Sequence, residues 1–216
     1  MIEIRKLCKS YGSVQILSQV SVTLEDEDFA ILYGTSGSGK TTFLRLLAGL
    51  EPVSGGEILF DGKIFSAPGI LVPPNRRKLG FVFQEPGLWP HLKVSKNILY
   101  GCQGTSSERK LKLDFLASEC RLKSLLLKYP GQLSMGEKRR VALARALAAK
   151  PRYLFLDEAF VNLDQELRNE MIQLVKSMKK NYDLTVIYVT HEQDDLNSFS
   201  ARIWNCHEMS IVETEP

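Results

Sequence analysis

No apolar run in this chain approaches the ~18 residues that a membrane-spanning helix requires. The opening Met1-Ile2-Glu3-Ile4-Arg5 alternates like a strand and lacks the apolar region of a signal peptide, so a cytoplasmic chain is expected. The four cysteines, Cys8, Cys102, Cys120 and Cys206, are scattered and form no Cys-x-x-Cys pair. That argues against a zinc or redox motif and reads as reduced, mostly buried thiols. Neither charge dominates. Lys and Arg number 28 against 25 Asp and Glu, and a net charge of +3 is too mild to argue for nucleic acid or an anionic membrane. There is no internal repeat and no low-complexity segment. What is present, 216 residues at 44% hydrophobic and 25% charged, fits one globular domain with a sizeable core.

The rest of the chain is organised around Gly34-Thr35-Ser36-Gly37-Ser38-Gly39-Lys40-Thr41-Thr42. The stretch fits the phosphate-binding pattern Gly-x-x-x-x-Gly-Lys-Ser/Thr, the P-loop. It lies between residues 29–33, which read as a buried strand, and residues 43–48, which read as a helix. Glycines let the backbone bend so that successive N–H groups face phosphate oxygens, and the helix start adds partial positive charge there. Lys40 would reach the β- and γ-phosphates, and the Thr41 hydroxyl would ligate Mg²⁺. The plain alternative is a glycine-rich turn with a surface lysine; the flanking strand and helix argue against it.

Residues 1–33 alternate with turn signals and predict an antiparallel β opening. Gly49 and Pro52 close the helix after the P-loop, and Ser54-Gly55-Gly56 reads as a turn. Residues 57–63 read as a strand into an Asp61-Gly62 turn, 68–74 as a loop, and 78–83 as a buried strand ending at Gln84. From Glu85 helical spacing takes over. Residues 94–100 form one short helix, and Thr105-Ser106-Ser107-Glu108 has the spacing of a capping box. This predicts a helical subdomain inserted at about residues 85–135. A helix over 137–149 stops at Pro151, and the apolar run 153–156 delivers Asp157-Glu158 to the carboxyl end of a central strand. A helix over 166–180, a central strand over 184–189 delivering Thr190-His191, a short helix over 192–199 and two closing strands follow. The fold class is therefore α/β. A mostly parallel sheet flanked by helices forms the P-loop core, with an N-terminal antiparallel β subdomain and an inserted helical subdomain, all one domain over residues 1–216.

An apolar strand ending in Asp157 suits a Mg²⁺ holder, and the adjacent Glu158 suits a base for an attacking water. Leu133-Ser134-Met135-Gly136-Glu137 opens the helix that follows, so the chain has a second helix start suited to an anion. An N-cap serine beside a flexible glycine is the alternative reading. Tyr11, beside Gly12, is a turn aromatic on its own evidence.

In motif order and spacing the whole chain resembles the nucleotide-binding subunit of an ABC transporter. Beside the P-loop and the strand ending in Asp157 stand an A-loop aromatic at Tyr11 and a Q-loop glutamine at Gln84. Ser134, Met135, Gly136 and Glu137 resemble the family signature, Val161-Asn162-Leu163-Asp164 the D-loop, and His191 the switch histidine. The resemblance implies that two subunits sandwich two ATP molecules head to tail, each signature facing the other subunit's P-loop. It implies adenine stacking on Tyr11, Mg²⁺ at Thr41, Gln84 and Asp157, and catalytic roles for Glu158, His191 and Gln84. It implies a second ATPase subunit, transmembrane permease subunits and a substrate-binding protein as partners. No nucleic acid partner is expected, and the location is peripheral, on the cytoplasmic face of the membrane. Pro73-Pro74-Asn75-Arg76-Arg77 and Trp89-Pro90-His91-Leu92 resemble bacterial importers of polyamine, iron, sulfate and molybdate, here without their C-terminal regulatory domain. An exporter or lipoprotein-release ATPase, a soluble ABC ATPase and a low-turnover regulatory module are the alternatives. The membrane partner is expected in a cleft around Gln84, Pro86 and an exposed Trp89; a buried Trp89 plugging the subdomain joint is the alternative. Met135 and Glu137 stand where the family has Gly and Gln, Val161 and Asn162 where it has Ser and Ala, and Ala159 where many relatives have Pro. If the signature needs a glycine-like backbone, Met135 is strained in the closed dimer and slows turnover; an ordinary conformation that packs harmlessly is the alternative.

Overall fold

Alternation at the start of the chain folds β1 (Ile2–Tyr11) and β2 (Val14–Leu24) into a hairpin with Ile2, Ile4, Leu7, Leu17, Val20 and Leu24 turned inward. The structure, a computed structural model, describes residues 1–161, 163–198 and 201–214. β3 (Phe29–Tyr33) departs from the hairpin and runs into the glycine loop, and α1 (Lys40–Ala48) begins directly after it. β4 (Gly55–Phe60), β5 (Lys63–Ala67) and β6 (Ile70–Leu71) return to the hairpin, completing an antiparallel sheet in the order β2-β1-β4-β5-β6.

Two expectations fail here. Gly55 and Gly56 do not form a turn; they begin β4 opposite Cys8 at an irregularity in the pairing with β1. Gly56 has φ of +74°, and a Cβ there would lie 2.2 Å from the Lys6 carbonyl oxygen. The Ser-Gly-Gly composition that suggests a turn equally suits a bulged strand. Residues 68–74, expected as loop, contain the short edge strand β6.

β7 (Leu79–Val82) leads into α2 (Val94–Ile98), α3 (Ser106–Glu119) and α4 (Met135–Ala148). The predicted capping box at Thr105 and Glu108 opens α3. β8 (Tyr153–Asp157), α5 (Gln165–Tyr182), β9 (Thr185–Thr190), β10 (Arg202–His207) and β11 (Ser210–Thr214) follow. A 3-10 helix spans Gln193–Ser198; residue 199, to which a helix was expected to extend, lies outside the described residues. The second sheet has the order β11-β10-β3-β9-β8-β7, parallel throughout except at β11. β8 and β9 are buried on both faces, which is why they read as unbroken apolar runs. Ile31, Leu154, Leu156, Val186 and Tyr188 pack toward α4 and α5. Their alternates Ala30, Leu32, Phe155, Ile187 and Val189 pack toward α1 and the antiparallel sheet. The central sheet thus divides two cores and holds its carboxyl ends at their common rim.

Arg77 is among the largest fully buried side chains, 1% exposed. Its guanidinium donates to the carbonyls of Val72 (2.8 Å), Leu47 (2.8 Å) and Phe65 (3.1 Å) and to Ser66 Oγ (2.7 Å). Burial holds its pKa down to about 10. The Leu47 carbonyl is one of the unpaired acceptors at the end of α1, so Arg77 ties that helix to the antiparallel sheet. Arg77→Met would leave these acceptors without donors and is expected to cost about 3 kcal/mol of stability. Urea unfolding measures it, and an unchanged midpoint would show that other donors take over.

Candidate functional site

The glycine loop takes a backbone that only glycine adopts freely, with φ of +82° at Gly37 and +102° at Gly39, the N-cap of α1. Gly34, Thr35, Ser36 and Ser38 complete the loop, closed by the Ser38 N–H donating to the Thr35 carbonyl at 3.2 Å. Lys40 opens α1 with its side chain 3% exposed and its ammonium donating to the Gly34 and Thr35 carbonyls at 2.8 Å each. The next residue, Thr41, donates its hydroxyl to Asp157 Oδ1 at 2.9 Å. Asp157 ends β8 buried, and burial lifts its pKa against the lowering effect of the Thr41 bond.

Glu158 has φ of +47°, a left-handed backbone that L-residues adopt at a cost of about 1–2 kcal/mol. Its N–H donates to the Val189 carbonyl at 3.1 Å, which anchors the unusual turn to β9. Three predicted residues converge on its carboxylate. Lys40 Nζ lies 3.6 Å away, His191 Nδ1 lies 3.5 Å away, and Gln84 Nε2 donates to Oε2 at 3.4 Å. His191 follows Thr190, whose hydroxyl shares the buried Asp195 carboxylate with that of Tyr188, each at 2.7 Å. Glu192, next to His191, pairs with Arg168 of α5 at 3.3 Å. Asp164 caps α5 by accepting from the Leu167 N–H at 2.9 Å; its D-loop neighbour Asn162 lies outside the described residues.

Tyr11 ends β1 45% exposed, its hydroxyl donating to Glu51 beside Thr42. Ser134 and Glu137 form a capping box at the start of α4. The Glu137 N–H donates to Ser134 Oγ at 3.2 Å and the Ser134 N–H to Glu137 Oε2 at 2.7 Å. Among the described residues this segment makes no hydrogen bond to residues 34–42 of its own chain. Gly136 packs against Leu167. Met135 is the first helical residue and is absent from the left-handed positions, so the single chain carries no strain there, and any strain arises only on closure of the dimer. The first turn of a helix accepts any L side chain. If the segment keeps this helical backbone on closure, Met135→Gly turns over ATP at the parent rate; a severalfold faster mutant at saturating ATP would place strain in the closed dimer.

The exposed Trp89 of the sequence reading is instead half-buried. It stacks on Tyr100 at 3.9 Å between centroids and lies under the Arg145 guanidinium at 4.8 Å. Arg145 also donates to the carbonyls of Gly87 (2.7 Å) and Pro86 (2.8 Å). The helix that starts at Ser134 is therefore clamped to the segment just after Gln84. Sequence reasoning missed Arg145, because in a helix that also carries Arg139 and Arg140 nothing local separates a clamp from a solvated charge. It missed Glu51 as well, although Lys9 and Tyr11, two apart on one strand face, signal a common neighbour.

A strand, a glycine loop and a helix, with paired carboxylates ending the parallel strand next but one in the sheet, define a P-loop nucleotide-binding domain. Residues 17–161 match the model of the ABC transporter family, and the chain belongs to that family. It is 38% identical over 215 residues to the spermidine/putrescine import ATP-binding protein PotA of Thermotoga maritima, across 98% of this chain and 57% of that protein. It is 38% identical over 204 residues to the Fe(3+) ions import ATP-binding protein FbpC 2 of Pectobacterium atrosepticum, across 94% of this chain and 59% of that protein. The chain thus spans little more than half the length of the curated relatives it matches. Its fold matches the dimeric ATP-binding cassette MJ0796, solved in a post-hydrolysis state with ADP and Pi, at a TM-score of 0.87 and 28% identity over 100% of this chain and 98% of that one. It matches CbiO1 of Clostridium perfringens, part of the ABC transporter complex CbiONQ, at 0.87 and 26% over 98% and 86%.

Proposed function

We propose that this chain binds ATP with Mg²⁺ and hydrolyses it as one half of a dimer that powers a membrane importer. The observation that carries the reading is the convergence of Lys40, Gln84 and His191 on Glu158, with the Thr41–Asp157 pair alongside. A hydroxyl and a buried carboxylate 2.9 Å apart form an oxygen donor set that suits Mg²⁺, and Gln84, which contacts the adjacent Glu158, would add a third oxygen. Bound there, the ion would neutralise charge on the transferring phosphate. Lys40 would exchange the Gly34 and Thr35 carbonyls for phosphate oxygens. Glu158 would accept the proton of the attacking water, and His191 would approach the γ-phosphate from the end of β9.

Dimer formation is supported by the signature segment, whose hydrogen bonds are all local and which leaves its own P-loop without a second anion-binding helix start. Head-to-tail pairing would supply that start from the partner. A helical Met135 in the single chain gives a low-turnover regulatory role no support of its own. The names of the relatives favour import, with permease subunits and a substrate-binding protein as further partners. A peripheral position on the cytoplasmic face agrees with the helices: among the described residues none is long and apolar enough to cross a membrane. Phosphate release and sedimentation of the purified chain with Mg-ATP test the reading. Mg²⁺-dependent hydrolysis with ATP-dependent dimerisation is expected; no ATP binding would refute it, and binding without turnover, even with a permease present, would favour the regulatory role.

A further inference from the structure

Resting on the ATP-binding reading above, we propose that Glu51 is a positioning residue for the nucleobase, fixing the Tyr11 ring as a preset stacking platform. Glu51 lies just beyond α1, the helix whose other end is the glycine loop. The Tyr11 hydroxyl donates to Glu51 Oε2, so the far end of the ring is tethered. Lys9 holds the same carboxylate oxygen at 3.3 Å and donates to the Pro52 carbonyl at 2.9 Å. The Lys9 ammonium also lies 4.7 Å from the Tyr11 ring centroid, covering part of one face, while the ring as a whole stays 45% exposed. Arg45 Nη1 stands 3.7 Å from the other Glu51 oxygen.

The cluster has two consequences. A tyrosine next to the Gly12 turn would otherwise sample several rotamers, and a base would have to order it on binding; here the ordering is done in advance. The carboxylate sits between two cations, so it presents no bare negative charge to an incoming triphosphate. The proton of the Tyr11 hydroxyl stays in place. Burial, with the Glu51 bond acting in the same direction, raises the phenol pKa.

The test separates the base from the phosphates. Calorimetric titration with ATP and with inorganic triphosphate would be run on the parent, on Tyr11→Phe, on Glu51→Ala and on the double variant. Tyr11→Phe keeps the stacking ring and loses only the tether. Each single variant should weaken ATP binding about three- to tenfold, the weight of immobilising one side chain. The double variant should be no weaker than the worse single. Triphosphate binding should not move in any of them, and in turnover the loss should fall on KM rather than kcat. ATP binding by Tyr11→Phe at the parent Kd, or an equal loss of ATP and triphosphate, would overturn the role of Glu51. If removing the partner of the buried Lys9 prevents Glu51→Ala from folding, Tyr11→Phe still decides. If the parent itself binds no ATP, the site reading falls and this role with it; if the parent binds and Tyr11→Phe binds equally, only the role falls.

Discussion

Glu158→Gln should bind ATP, accumulate as an ATP-bound dimer, and release phosphate at least about a hundredfold more slowly than the parent. Glutamine can keep the hydrogen bond with Gln84 and the contact with Lys40, so the site retains its shape and loses only its proton acceptor. Single-turnover phosphate release and size-exclusion chromatography with Mg-ATP measure both effects. A variant that stays monomeric and turns over normally would remove Glu158 from the base role. The left-handed backbone at Glu158 adds a second, independent readout. Glu158→Gly should be inactive yet more stable by about 1 kcal/mol in urea unfolding, because glycine carries no penalty at φ of +47°. The parent would then be keeping a strained residue for its chemistry.

Lys40→Ala should lose turnover and bind ATP about ten- to a hundredfold more weakly, the weight of a hydrogen bond to a charged group. In the folded chain Lys40 is buried, and its ammonium spans the Gly34 and Thr35 carbonyls and the Glu158 carboxylate. Its loss removes the phosphate's cation and also the ammonium 3.6 Å from the Glu158 carboxylate. Lys40→Arg is not expected to rescue activity, since a larger planar head does not fit a side-chain site 3% exposed. Parent-like ATPase activity in Lys40→Ala would exclude the lysine from the mechanism.

The parts of the site that were legible in the sequence are those set by neighbouring residues. The glycine loop, the capping box at Thr105, the N-cap at Ser134, and the apolar strands ending at Asp157 and before His191 follow from spacing along one element. What stayed hidden depends on residues far apart in the chain. Arg77 looks like part of a basic loop until Val72, Leu47, Phe65 and Ser66 surround it. Trp89 looks exposed until Tyr100 and Arg145 close on it. Met135 departs from the family pattern, yet its backbone in the single chain is plain helix, whereas Glu158, at which no pattern was broken, takes a left-handed backbone.

β3, the strand that carries the glycine loop, pairs with β9 on one side, Phe29 with Val186, and with β10 on the other, Ala30 with Arg202. The end of β10 and the turn after it complete the support. Cys206 Sγ donates to the Ser38 carbonyl at 3.1 Å, and Ser18 N–H donates to the Met209 carbonyl at 2.7 Å. On the ribosome, therefore, the β1–β2 hairpin can close as soon as it emerges, but β3 cannot. Its apolar Phe29-Ala30-Ile31-Leu32 must wait unpaired, a natural client for chaperones, until β9 and β10 have been made. Only after residue 209 has left the tunnel does the phosphate cradle gain both of its walls, so the ability to hold a nucleotide lags well behind synthesis of the glycine loop itself.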